Sequence, residues 1–487
     1  MWKVVTFCIL LAFSGIVSWW ADELPWLRKF EYQLWDLRTE LVADPQNARK
    51  DIKIVVIDQR SLNALEKEDL TWPWPRPIYK PVVEWLKGAG AKGIGFDILF
   101  TETGVSGLVD DREFASAFTR DFPAVHVASA GDGQGSIPVD LPLASISPEI
   151  SAIISKRSFS RATFPIEELY PGTSIVGLVT VEADEDGIFR RMPLGATVFG
   201  KPFYSLAFAL YAATHKDESI DWVAPYSTDD GSVIVRLHGG SETFRTYSFA
   251  DVLAVAVGGS PSEEITAEDF KGSYVLVGVW APGLQDLRPV SLGRTEYRGV
   301  EFHAATLDNI LSQSFVTETS RTIDVLFGVF LTALVSSCVL FLPTPALSVV
   351  IASLVVVAAV LFTVMLADAG VWIALAAPLL SVVTAITGSL WLQFLFEGRQ
   401  RKFLRRAFSH YVNPSIVSQI VNDPTHLSLG GQKKRVSVYF SDLAGFTTLS
   451  EKLSTEQLTH FLNWYLGEMT EIVLREDGTL DKYEGDA

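Results

Sequence analysis

Cysteine is nearly absent: only Cys8 and Cys338 occur in 487 residues, and both lie inside apolar runs. No disulfide framework can form in the soluble parts, so the fold must stand on its own core. Bases are also short, 40 Lys and Arg against 57 Asp and Glu, giving a formal net charge of −17. That balance argues against a nucleic-acid binder, which needs basic surface to neutralise phosphates. Charge is missing altogether from several long stretches. Mean hydropathy is +0.25 although 20% of the residues are charged, so apolar runs are segregated from ordinary mixed sequence. The chain therefore reads as a multidomain membrane protein, and its length also exceeds what one core organises.

Four apolar stretches have the length of membrane spans: residues 4–20, 325–342, 347–366 and 371–396. A cleaved signal peptide is the rival reading of the first. Trp19 and Trp20 stand where a small-residue cleavage site would be, and they suit a membrane interface, which favours an uncleaved signal anchor. Pro343, Pro345 and the run Ala367–Gly370 make the later connections short, so the last three spans form antiparallel hairpins. The basic cluster Arg399, Arg401, Lys402, Arg405 and Arg406 follows the last span and places that end in the cytoplasm. Residues 25–320 are then expected outside and the N-terminus inside.

The outer segment alternates strand and helix signals. Ile52–Ile57, Gly93–Phe100, Phe122–Ala128, Ser174–Val181 and Ser273–Val279 read as strands; Ser61–Glu68, Pro77–Lys87 and Phe302–Ser312 read as helices. Asp184-Glu185-Asp186-Gly187 reads as the turn of a hairpin. A mixed α/β domain is expected. The runs Ile54–Asp58, Trp72–Arg76 with Tyr79, Gly95–Phe100, Asp184–Arg191, Ala281–Asp286 and Gly299–Ala304 together resemble the second type of the CHASE extracytoplasmic sensor family, in the same order. The family's layout of one leading span and three trailing ones matches the topology above. Asp58, Arg76, Asp97, Asp286 and His303 are candidates for contact with an extracytoplasmic ligand. Each also has a structural reading, as a cap, a turn or a satisfied buried polar group. His303 has no second ligand at metal-binding spacing, so no metal site is expected there.

Past the basic cluster, residues 399–432 read as a linker, with helical apolar spacing from Phe403 to Asn422 interrupted at Asn413-Pro414. It is either a signal-transmitting helix that pairs with its copy or a plain spacer. Residues 433–487 then carry two carboxylates at turns. Lys434–Phe440 reads as a buried strand ending in Ser441-Asp442, followed by Leu443-Ala444-Gly445-Phe446-Thr447. A carboxylate at a strand end, before a glycine-bearing turn into a helix, can hold a metal ion and offer backbone N–H groups to phosphate. Ser454 and Gln457 form a capping box for a helix to about Leu474, with Leu458, Phe461, Leu462, Tyr465, Met469 and Ile472 as its core face. Asp477-Gly478 turns the chain into Asp481–Tyr483, and Asp486 follows on the far side of a tight turn. Two carboxylates from separate strands suit Mg²⁺.

These residues resemble the class III adenylate and guanylate cyclases. Phe440, Ser441, Asp442, Gly445, Phe446 and Thr447 match the first metal motif; Asp481, Lys482, Tyr483, Gly485, Asp486 and Ala487 match the second. Leu443-Ala444 and Glu484 depart slightly from it. The resemblance implies an α+β, ferredoxin-like catalytic domain that works as a homodimer. Asp442 and Asp486 would bind two Mg²⁺ or Mn²⁺ ions, and the backbone of Leu443, Ala444, Gly445, Phe446 and Thr447 would cradle phosphates. Lys482 would donate to the purine. An ammonium suits the acceptor N1 of adenine and not the protonated N1 of guanine, so ATP is expected over GTP. The expected whole is a multi-pass protein of the bacterial inner (cell) membrane, converting ATP to cyclic AMP and pyrophosphate in response to an outside signal. A guanylate cyclase, or a catalytically silent receptor that pairs with a complete partner, is the alternative. The family's transition-state asparagine and arginine come later than Ala487, so the sequence reads as a piece of a longer protein. A channel or transporter is disfavoured, because Asp324 and Asp368 sit at the ends of spans, not inside them.

Overall fold

The computed structural model describes the chain except residues 1, 120, 135, 285, 293–295, 343, 409–434 and 486–487. It divides into two units, Met1–Ile386 and Thr387–Ala487, each described by itself.

The first unit begins with two helices, α1 (Trp2–Trp19) and α2 (Pro25–Val42). An open sheet follows, built from β1 (Ile52–Ile57), helices α3 (Gln59–Glu66) and α4 (Tyr79–Gly88), β2 (Gly93–Asp97), α5 (Leu108–Ala115), β3 (Ala124–Gly131) and β4 (Ile175–Leu178). Then come α6 (Leu206–Thr214), β5 (Arg245–Ser248), α7 (Phe249–Ala256), β6 (Tyr274–Val279) and α8 (Gly299–Ser312). The spatial order is β5-β1-β6-β2-β3-β4, all neighbours parallel, with Arg161–Thr163 added antiparallel to β3.

Both sheet faces are covered, which is why these strands read as continuous apolar runs. Alternate residues serve opposite layers. Ile54, Val56 and Leu276 pack with Leu206 and Leu210 of α6 and Phe302 and Leu307 of α8. Val55, Ile57, Val275 and Val277 pack with Val82 and Leu86 of α4 and Phe249 of α7. Gly278 lets α8 lie against β6: a Cβ there would stand 2.6 Å from Cβ of Val300.

Three helices are long and apolar enough to cross a membrane: α9 (Arg321–Phe341), α10 (Pro345–Asp368) and α11 (Ala376–Phe408), the last over Ala376–Leu395. The leading apolar helix is shorter, Lys3–Trp19. It lies antiparallel along α9. Thr332 donates to Ser14 Oγ at 3.0 Å, Phe7 meets Phe341 edge-on at 6.3 Å, and a Cβ on Gly328 would stand 2.5 Å from Ser18 Oγ.

Two expectations are corrected. The Asp184–Gly187 turn is present, with Gly187 N–H donating to Asp184 O and Gly187 at φ +83°, but its flanks do not form a hairpin. Ile175–Leu178 joins the main sheet, and Arg191–Pro193 pairs antiparallel with Ser232–Ile234. The turn's carboxylates hold a buried arginine instead.

In the second unit, helices α12 (Phe446–Lys452) and α13 (Thr455–Arg475) form, the latter with the expected Ser454–Gln457 capping box. The strand expected over Lys434–Phe440 does not form within the described residues. Residues 435–440 carry no assigned secondary structure, and Phe440 is 89% exposed. A segment that would be buried on both faces needs neighbouring strands, and the described residues of this unit supply none. Leu458, Phe461, Leu462, Tyr465 and Met469 are half-buried on one face of α13, and Ile472 is exposed. The linker expected from Phe403 to Asn422 lies outside the described residues beyond Phe408.

Candidate functional site

In a parallel α/β sheet, ligand crevices open at the carboxyl ends of the strands. Of the five sensor residues singled out in the sequence, the structure brings Asp97 and Asp286 together there. Both reach the first turn of α8, where a Cβ on Gly299 would stand 3.0 Å from Asp286 Oδ2, 3.3 Å from Asp97 Oδ2 and 3.4 Å from Arg288 Nη2. Only glycine leaves room for those groups. Arg288 was not anticipated. It donates through Nε (2.8 Å) and Nη2 (2.6 Å) to Asp286, while its buried Nη1 has no partner among the described residues. Only its spacing two residues after Asp286, on a short strand, could have signalled it.

Asp58 and Arg76 have structural roles. Asp58 caps α3, accepting from Ser61 N–H at 2.8 Å and from Ser248 Oγ at 2.9 Å. Arg76 donates to Glu102 O at 3.0 Å, lies 3.5 Å from Asp111 and stacks over Phe100, bracing the loop after β2. His303 is fully buried, with both ring nitrogens unpartnered among the described residues.

Burial shifts three titrations here. It raises Asp97 to about 6, with Arg288 opposing. It lowers His126 and His303 to about 3, with the charges of Arg76 and Arg288 respectively adding to it. The histidines stay neutral in the fold and take up protons on unfolding. Their stabilisation is complete above about pH 6.5 and falls as pH drops toward 3, by up to about 1.4 kcal/mol per histidine per pH unit. Asp97 acts oppositely: its contribution is present at low pH and is lost between about pH 4 and 6. Two histidines outweigh one carboxyl. Urea unfolding of the first unit should therefore become easier from pH 7 to pH 5, and His303→Phe should flatten that slope. An unchanged slope in the variant would refute the assignment.

A second constellation lies where the sheet domain meets the apolar helices. Arg190, 1% exposed, donates to Asp36 of α2 at 2.8 and 2.6 Å and to Asp186 at 2.9 and 2.8 Å. It also reaches Asp184 at 3.1 Å and stacks over the Tyr32 ring at 4.6 Å. Arg191 pairs with Asp184 at 3.1 Å and Glu318 at 3.2 Å and lies over Trp372. Trp372 is stacked on Trp35 of α2, ring centroids 4.4 Å apart. Thr317–Glu318, just before α9, pairs with Val371–Trp372, just before α11.

One family model matches this chain, that of the CHASE2 domain, over residues 5–342. The chain belongs to the CHASE2 domain family. No curated protein and no solved structure matches it. The match runs from α1 through the α/β sheet to the end of α9. With an extracytoplasmic sensor family matched and three helices long and apolar enough to cross a membrane, the chain is a membrane protein that carries a signal-sensing domain outside the membrane.

Beyond the CHASE2 domain, the structure places Asp442 exposed before a turn. Phe446 N–H donates to Leu443 O at 3.1 Å, and Gly445, at φ +78°, starts α12. Ala444, Gly445 and Thr447 are exposed, with Leu443 and Phe446 half-buried. Lys482 pairs with Glu484 at 2.5 Å, and Tyr483 meets Thr470. Asp486 lies outside the described residues. Asp442 and Lys482 are thus both presented to solvent.

Proposed function

We propose that the chain is a four-span receptor of the bacterial inner membrane. Its CHASE2 domain reads an outside signal, and its C-terminal part belongs to an adenylate cyclase making cyclic AMP and pyrophosphate from ATP. The fourth span is α1: its 18 residues would reach roughly 27 Å, near the ~30 Å of a bilayer core. Its full-length packing against α9 supports the same depth. The basic residues from Arg399 to Arg406 support a cytoplasmic end for α11.

The observation that carries the output reading is the pair of motifs Phe440–Thr447 and Asp481–Ala487, in the order and spacing of class III cyclases. The donor chemistry fits: Asp442 is an exposed carboxylate beside a glycine-bearing turn into a helix, where a metal ion and phosphate oxygens can be held. Asp442 and Asp486 would hold two Mg²⁺ or Mn²⁺ ions, which supply positive charge beside the 3′-hydroxyl and the α-phosphate. The backbone from Leu443 to Thr447 would orient the triphosphate. Lys482 would leave Glu484 and donate to adenine N1. The catalytic partner is a second copy of the chain.

The test is ATP turnover by membranes that contain the full-length protein. Cyclic AMP formation dependent on Mn²⁺ or Mg²⁺ supports the proposal. GTP turnover in its place would make the output a guanylate cyclase, and no turnover of either would leave a receptor that works through a partner.

A further inference from the structure

Glu31 stands on α2, inside the sensor, yet its carboxylate closes the first turn of α11. One oxygen accepts from the backbone N–H groups of Leu375 and Ala376, both at 2.7 Å. The other accepts from Trp372 Nε1 at 2.9 Å and from Arg38 Nη2 at 2.6 Å. The first N–H groups of a helix lack partners within it and form its positive end, so a carboxylate held there fixes where the helix begins. Capping groups usually come from the adjoining chain. This one comes from 344 residues away.

Arg38, 2% exposed, ties α2 to the same segment by donating to Ile373 O at 2.9 Å. Further along α2, Asp36 is gripped by Arg190 and Tyr32 lies beneath its guanidinium. The helix is therefore held between the Asp184–Arg191 turn and the start of α11. On another flank it borders a cavity of about 650 Å³, lined by Glu31, Tyr32, Tyr226, Arg321 and Asp324 among others. Away from the cavity, Tyr32 and Trp35 pack with Ile234, Val316, Ala367 and Trp372, so a shift of the helix moves that cluster with it and is not absorbed.

We propose that α2 is the lever by which the CHASE2 domain moves the last span. Displacement of the Asp184–Arg191 turn shifts Asp36 and Tyr32; Glu31 and Trp35 then carry Leu375, Ala376 and Trp372 with them. Because α11 runs unbroken from Ala376 to Phe408, a change at its first turn becomes a change along the whole helix. This rests on the receptor reading but not on the nature of the output.

The test is amide hydrogen exchange of the full chain in lipid nanodiscs. Glu31→Ala should speed exchange at Leu375 and Ala376 roughly tenfold. The deciding variant is Arg190→Lys, which keeps the charge but loses the two-pronged grip on Asp36. It should also speed exchange at 375 and 376, although Arg190 touches neither. Asp58→Asn, which weakens the α3 cap elsewhere in the sensor, controls for general loosening and should leave those amides unchanged. If Arg190→Lys leaves them unchanged, or if Asp58→Asn moves them equally, α2 is no lever. A failed cyclase assay would not alter this readout.

Discussion

Asp442→Ala should abolish cyclic AMP production in membranes while the protein still inserts and its sensor still folds. Metal-held charge at a phosphoryl centre contributes several kcal/mol to the transition state, so a loss of about a hundredfold or more is expected. Asp442 is exposed, and its side chain has no hydrogen-bond or ion-pair partner among the described residues. Loss of activity would therefore not arise from unfolding. Retained activity in this variant would remove the metal role from Asp442. Lys482→Glu asks a narrower question. It replaces a donor by an acceptor beside the purine, so the ratio of ATP to GTP turnover should fall; an unmoved ratio would leave adenine selectivity to other residues.

The sheet was legible because its strands are buried on both faces. Runs such as Ile52–Ile57 and Tyr274–Val279 carry their own signal. The edge strand Arg245–Ser248 does not: it is short, polar at all but Tyr247 and defined only by its pairing with β1. The Asp184–Gly187 turn was legible from Asp and Gly chemistry, whereas the pairing of its flanks is a long-range property that local sequence does not encode. The same limit hid the junction. Nothing in the sequence around Glu31 or Arg38 announces that their partners are more than 300 residues away. Asp97 and Asp286 were visible as candidates, but Arg288 gains meaning only from their meeting at Gly299. In the second unit the opposite holds: the motifs are sharper in the sequence than in the structure, because one of the two aspartates lies outside the described residues and no ladder orders residues 435–440.

Arg190→Met should cost the CHASE2 domain about 3–5 kcal/mol, the largest stability loss expected from a single substitution here. Methionine roughly conserves volume and removes the cation, leaving Asp36, Asp184 and Asp186 facing one another with side-chain exposures of 20%, 8% and 18%. Burial already holds the Asp36 carboxyl above its usual range even with Arg190 beside it. Asp186 lies below its usual range, since its bonds to Arg190 and the Arg190 charge outweigh its desolvation. Without the guanidinium both carboxyls should rise, and uptake of a proton in the folded state then favours folding as pH falls. The variant's deficit, measured by urea unfolding, should accordingly be greatest near pH 7.5 and shrink toward pH 5. Pairing the substitution with Asp36→Asn should recover part of the loss, because one of the stranded charges is gone. A deficit independent of pH, or none at all, would mean that the three carboxylates are solvated well enough to do without Arg190, and the junction would then be a loose contact, unable to hold α2 in place.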